Sequence, residues 1–108
     1  MADGRLGTAD LAAATYTTVY TVPAGKKATF NVSILNRNAT NAVVRLAITD
    51  EVSGTPTDDE FLEYGKTLQQ SDVLERTGLV AAAGEQIVAY SDVIDVSVSV
   101  RGIEVASA

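Results

Sequence analysis

The feature that most constrains the fold is an alternation of apolar and polar residues with a period of two. It is clearest where Ala28, Phe30, Val32 and Ile34 are separated by single, mostly polar residues. Successive side chains of a strand point to opposite faces, so this pattern predicts a strand with one buried and one wet face. No segment shows a sustained 3.6-residue period, and helices are therefore not predicted as the framework.

The same signal recurs along the chain between turn-forming residues. Phe61 is predicted to point inward, together with Leu62 or Tyr64, and Ile94 is predicted inward with the valines that follow it. Gly78 predicts a bulge. Seven strands are predicted, at 15–22, 28–34, 43–49, 61–68, 73–80, 86–91 and 93–105. Such a series predicts an all-β fold, either an antiparallel β-sandwich or a jelly roll.

The first residues differ from the rest of the chain. Residues 1–14 are rich in Ala, Gly and Asp without a two-residue period, and they predict a short N-terminal arm that is flexible or docks on a neighbour. Leu6 and Leu11 are its candidate partner contacts. The remaining residues, 15–108, are predicted to form a single β-sandwich domain, because 108 residues leave room for one core. Neither a secretory signal nor a membrane-spanning run is predicted.

The composition argues against several classes of function. The chain has no cysteine and no histidine, which removes disulfides, thiolate metal sites and the commonest general base. Its net charge is −6, and its eight basic residues are scattered, so neither nucleic acid nor an anionic membrane is an expected partner. The composition therefore favours a non-enzymatic protein, and no cofactor is expected.

The main acidic cluster is the loop at 50–60. Its carboxylates are of the type that Ca²⁺ binds, but the spacing of a calcium loop is missing. A solvated charged loop is the favoured interpretation, no metal ligand is assigned, and metal binding stays open.

Four tyrosines are candidate partner contacts: Tyr16, Tyr20, Tyr64 and Tyr90. Tyrosine side chains can stack on sugar rings or anchor protein interfaces. The plainer interpretation, and the favoured one, is packing at a sheet margin with the hydroxyl in water.

The last predicted strand is long against a usual five or six residues. If it lies on a sheet edge, it offers unpaired backbone groups to a neighbouring subunit. The long strand and the N-terminal arm together favour a homo-oligomer.

Several segments resemble small β-domains in structural proteins of tailed bacteriophages. The resemblance covers roughly residues 16–105 and rests mostly on turns and strand patterns. Its segments are TVYTVPAGK at 18–26, NVSILNR at 31–37, VRLAI at 44–48, GTPTD at 54–58, LEY at 62–64, LERTGL at 74–79, AGE at 83–85 and VSVSVRGIE at 96–104.

This resemblance implies a virion component assembled in the host cytoplasm, with other virion proteins as partners and no catalytic residues. A capsid decoration or cement protein is the leading expectation. The alternative is a tail, baseplate or fibre component that binds a receptor or a host surface glycan.

Overall fold

The computed structural model describes residues 3–51 and 55–106. In these ranges the chain forms strands and a single short 3-10 turn at Asp58–Glu60. The strands are β1 Asp3–Leu11, β2 Thr17–Thr21, β3 Lys26–Asn36, β4 Ala42–Thr49, β5 Phe61–Leu68, β6 Val73–Ala82, β7 Gln86–Ser91 and β8 Val96–Ala106. Within the described residues, no helix has both the length and the apolar character that a membrane crossing needs.

The strands form two antiparallel sheets of four. Sheet A has the order β1-β8-β3-β6, and sheet B has the order β2-β7-β4-β5. Strands pair as β1 with β8, β2 with β7, β3 with β6 and β4 with β5. This order is that of one long hairpin, with its turn between β4 and β5, wrapped around itself to make two layers. The all-β sandwich prediction is confirmed.

The core lies between the two sheets. Ala28, Phe30, Val32 and Ile34 of β3 are all buried, as their alternation predicts. They pack in one cluster with inward residues of the other strands: Val44 and Leu46 of β4, Ile87 and Ala89 of β7, and Val96, Val98 and Val100 of β8. Burial of apolar area at about 25 cal/mol per Å² is the main source of stability in such a layer.

The predicted N-terminal arm is wrong for Asp3–Leu11, because this segment is strand β1 at the edge of sheet A. It pairs with β8 over its whole length, from Asp3 opposite Ile103 to Leu11 opposite Val96. Leu11 belongs to the inter-sheet core, so the core extends beyond the predicted 15–108 boundary. The alternation was hidden because most inward positions of β1 carry small residues, as at Gly7 and Ala9.

All seven predicted strands are present, with corrections in detail. β8 lies between β1 and β3, so it is not an edge strand that offers its backbone to a partner. Ile94 precedes β8 in the loop and is 57% exposed, which contradicts its predicted inward orientation. The predicted bulge at Gly78 is confirmed: Asn31 sits at a register shift opposite β6, and the Gly78 amide donates to its side-chain oxygen at 3.0 Å.

Candidate functional site

A cluster of aromatic rings surrounds Arg45 on the outer face of sheet B. Arg45 lies on β4, with Tyr90 of β7 opposite it on one side and Tyr64 of β5 opposite it on the other. Its guanidinium carbon is 4.3 Å from the ring centre of Tyr64 and 4.5 Å from that of Tyr90. A cation over the face of an aromatic ring is attracted by the ring quadrupole. The cluster is thus held across three strands of sheet B.

Tyr16, just before β2, completes the cluster around Arg45. Arg45 Nη1 donates a 2.7 Å hydrogen bond to the Tyr16 hydroxyl, and the Tyr16 and Tyr90 ring centres are 4.9 Å apart. The hydrogen bond to Tyr16 raises the pKa of Arg45 despite partial desolvation, so the guanidinium stays charged. Arg45 Nε is buried without a hydrogen-bond partner. The guanidinium is therefore held by rings and one hydroxyl.

Phe61 extends the aromatic layer along β5. Its ring lies 4.9 Å from that of Tyr64 in an edge-on arrangement. On the same outer face, Ala47 of β4 is paired with Phe61 on one side and with Val88 of β7 on the other. Ala47 and Val88 are buried but lie outside the inter-sheet core cluster. The aromatic layer therefore shields a second, small apolar layer on the outer face of sheet B.

Tyr64 is the exposed end of the cluster. It is 63% exposed, although one face of its ring covers Arg45 and the Phe61 ring contacts it edge-on. Tyr64, Phe61 and Asp58 line a shallow depression in the surface. A ring that is both exposed and held by its neighbours loses little side-chain entropy on binding, which suits contact with a sugar ring or a protein surface.

The structure brings together three of the predicted contact tyrosines, Tyr16, Tyr64 and Tyr90, although only Tyr64 is largely exposed. Tyr20 and Leu11 are only 8% and 2% exposed in the inter-sheet core, so the prediction that they touch a partner is wrong for both. Leu6 is half-buried and packs against the same core. These three side chains stabilise the fold: alternation turns Leu11 and Tyr20 inward, and Leu6 lies at the register shift of β1 between Arg5 and Gly7.

Two members of the cluster were missed. Arg45 was detectable, since the alternation of β4 puts Val44 and Leu46 inward and Arg45 outward. Phe61 was predicted to point inward, and this prediction is wrong because the orientation of Phe61 depends on how β5 pairs with β4. The pairing of β4 and β5 shifts register twice, between Val44 and Arg45 and between Leu46 and Ala47. The second shift sets Phe61 on the same face as Tyr64, three residues away, and leaves Leu62 to pack against the core.

Tyr20 has a structural role that its burial defines. Its hydroxyl, on β2 of sheet B, donates to the Glu104 carboxylate on β8 of sheet A. Burial, reinforced by the hydrogen bond and by the Glu104 charge, raises the pKa of Tyr20 well above its usual range. The bond therefore links the two sheets while the phenol keeps its proton.

We expect this raised pKa to make the protein lose stability in strong alkali. Above about pH 10, the usual tyrosine pKa, the unfolded chain releases the Tyr20 proton while the folded chain keeps it. The folded state then binds more protons, and its stability falls as the pH rises. Urea unfolding followed from pH 8 upward should show that the free energy of unfolding declines more steeply for the wild type than for Tyr20→Phe. Circular dichroism checks that the variant keeps the fold. Equal slopes for the two proteins would contradict the assignment.

The carboxylate of Glu60 accepts hydrogen bonds that hold the acidic loop in place. Glu60 accepts hydrogen bonds from the Thr49 hydroxyl at 2.6 Å and from the Thr57 amide at 2.8 Å. The bond from Thr49 is the main cause that lowers the pKa of the Glu60 carboxyl. In the described part of the loop and elsewhere in the described chain, no three acidic side chains converge as metal ligands would. Glu60 serves to fasten the loop to the end of β4.

Comparison with known proteins adds one structural likeness. No protein-family model matches the chain, and no curated protein matches it. A solved structure described as a pentameric capsid protein isolated from metagenomic phage sequences aligns with 93% of this chain at 23% identity, with a TM-score of 0.45. The chain spans 61% of the length of that protein.

Proposed function

We propose that the chain is a non-enzymatic structural protein of a bacteriophage virion. The observation that carries the proposal is the strand order, β1-β8-β3-β6 against β2-β7-β4-β5. This is the order of an eight-stranded jelly roll, a two-sheet architecture that viral capsid domains and lectins use. The sequence resemblance to phage structural β-domains favours the virion role over the others that this fold supports.

The finer proposal is capsid decoration, in which the protein binds and stabilises neighbouring capsid subunits. The sandwich is suited to this because most of its described residues lie in paired strands, which leaves little flexible chain to order on binding. A symmetric shell repeats each contact many times, so modest individual affinities give a stable coat.

The test is to look for the chain on purified particles of the phage that encodes it. We expect mass spectrometry to detect it at a copy number commensurate with the capsid, and electron microscopy to show the sandwich at regular positions on the head. A phage replication enzyme measured in the same preparation controls for contamination. Absence of the chain from particles that lack this contaminant would overturn the virion role, while regular density on the tail would contradict decoration only.

A second candidate is a receptor- or glycan-binding module of a tail, baseplate or fibre. The observation that favours it is Tyr64, an exposed ring held from behind by Arg45 and Phe61. Sugar rings stack on such surfaces. Glycan-array binding that is lost in Tyr64→Ala and kept in Val73→Ala, an exposed change on the other sheet, would support it. An array without binding by the wild type would count against it.

A further inference from the structure

Two arginines lie side by side on the outer face of sheet A. Arg5 of β1 is directly opposite Arg101 of β8, and both are exposed. Among the described side chains, neither lies within ion-pair distance of a carboxylate; the ion pairs found there involve Arg37 and Arg76. Like charges directly opposite each other in an antiparallel pair are destabilising. A partner that supplies negative charge would remove this cost.

Exposed aliphatic side chains flank these arginines. The next outward position of β8 is Ile103, which is 49% exposed, and Val80 of β6 is 64% exposed. Both are paired with Thr29 of β3, so the three form one row across the sheet, and Asp3 of β1 is paired with Ile103 at the end of that row. Neighbouring strands are about 4.8 Å apart, which puts the two aliphatic side chains about 10 Å from each other. We call Arg5, Arg101, Ile103 and Val80 the basic patch.

A surface of complementary character lies beside sheet B. Asp58 is exposed in the 3-10 turn that leads into β5, and it lines the shallow depression with Phe61 and Tyr64. Asp59 and Glu60 follow in the same turn. We call Asp58, Phe61 and Tyr64 the acidic aromatic surface. It offers a carboxylate for an arginine and an exposed ring for an aliphatic side chain or a guanidinium.

We propose that the basic patch of one copy binds the acidic aromatic surface of a second copy. The two surfaces belong to different sheets of the sandwich, on opposite outer faces, so a single molecule cannot join them to each other. Each copy therefore presents one surface to the neighbour on one side and the other surface to the neighbour on the other side. Contacts of this head-to-tail kind close into a ring or continue as a chain.

Charge complementarity is the reason that the occupant is a copy of this chain. The protein has a net charge of −6, so copies repel each other unless a basic region meets an acidic one. Arg5 and Arg101 form such a region on sheet A, and the 50–60 loop is the densest run of carboxylates in the sequence. The apolar members on each side supply area that is removed from water when the two surfaces meet.

The experiment measures self-association by sedimentation velocity over a range of protein and salt concentrations. We expect the wild type to form oligomers that dissociate as salt screens the charges. Arg101→Glu and Asp58→Arg are each expected to raise the apparent dissociation constant by about tenfold or more, because each puts a charge opposite a like charge across the interface. The double variant Arg101→Glu/Asp58→Arg restores the opposite charges and should return to within about threefold of the wild type.

Matched controls separate the interface from a general effect of charge. Lys66→Glu and Asp95→Arg make the same changes of charge at exposed positions outside both surfaces, and we expect them to leave association unchanged. Circular dichroism of each variant checks that the fold is kept, which we expect because both arginines and Asp58 are exposed.

Three results would overturn the proposal: a wild type that stays monomeric at every concentration, single variants that associate like the wild type, or a double variant without recovery. The measurement is made on the isolated protein, so its outcome is independent of whether the chain is found on virions. Failure of this pairing and failure of the virion role are therefore distinguished.

Discussion

Phe30→Ala is expected to lower the free energy of unfolding by about 3–5 kcal/mol. Phe30 is 1% exposed, in the middle of β3, and β3 is flanked on both sides within sheet A. The substitution removes the buried ring and leaves a cavity, because paired strands on both sides prevent β3 from closing the gap. Small domains are stable by about 5–15 kcal/mol, so the loss is a large share of the total.

Urea or guanidinium unfolding of Phe30→Ala measures this loss. The matched control is Val80→Ala, which truncates a side chain that is 64% exposed, and a change within about 0.5 kcal/mol is expected there. Similar losses at the two positions would contradict the account of the core given above.

Gly102→Ala is expected to be nearly as damaging, although it adds only one methyl group. A Cβ at this position of β8 would lie 2.0 Å from the Thr29 carbonyl oxygen and 2.6 Å from the Phe30 Cα. Both atoms belong to the backbone of β3, which cannot turn away as a side chain does. We expect a loss of about 3 kcal/mol, the upper end of the range for overpacking.

Gly78→Ala separates this steric cost from the cost of backbone conformation. Gly78 has a φ of 70°, and a Cβ there would meet nothing within 4 Å. We expect a loss of about 1–2 kcal/mol, the cost of a left-handed conformation for a residue with a Cβ. Chemical unfolding compares the two variants, and hydrogen exchange of β3 amides should increase in Gly102→Ala alone. A smaller loss for Gly102→Ala than for Gly78→Ala would show that β8 moves away from β3 without much cost.

The strands were predictable because their signal is local. In β3, each apolar residue at every second position reports burial on one side of the sheet, and the same holds for β8 from Val96 to Val100. β1 was missed because its inward Gly7 and Ala9 carry almost no apolar signal. Gly7 is small for a reason that only the fold reveals: a Cβ there would lie 2.3 Å from the Val19 carbonyl oxygen of β2.

The candidate site was predictable only in part. Tyrosines on predicted strands were sound candidates, but alternation by itself did not separate the buried Tyr20 from the exposed Tyr64. The register shifts of β5 put Phe61 and Tyr64 on one face, and such shifts depend on the partner strand. The cluster around Arg45 is formed by residues of β4, β5 and β7 and by Tyr16 before β2, which are distant in sequence.

By itself, the sequence determined the class of fold, seven of the eight strands, most of their buried faces, and the lack of the histidine and cysteine on which much catalysis depends. These properties follow from side-chain chemistry and from a two-residue period, both of which are local. The tertiary structure decided the strand order, the place of β1 in sheet A and the gathering of three tyrosines around Arg45. It also decided that Arg5 and Asp58 lie on opposite outer faces. Those outcomes depend on which strands pair and in what register, and pairing between distant segments leaves no mark in the local pattern.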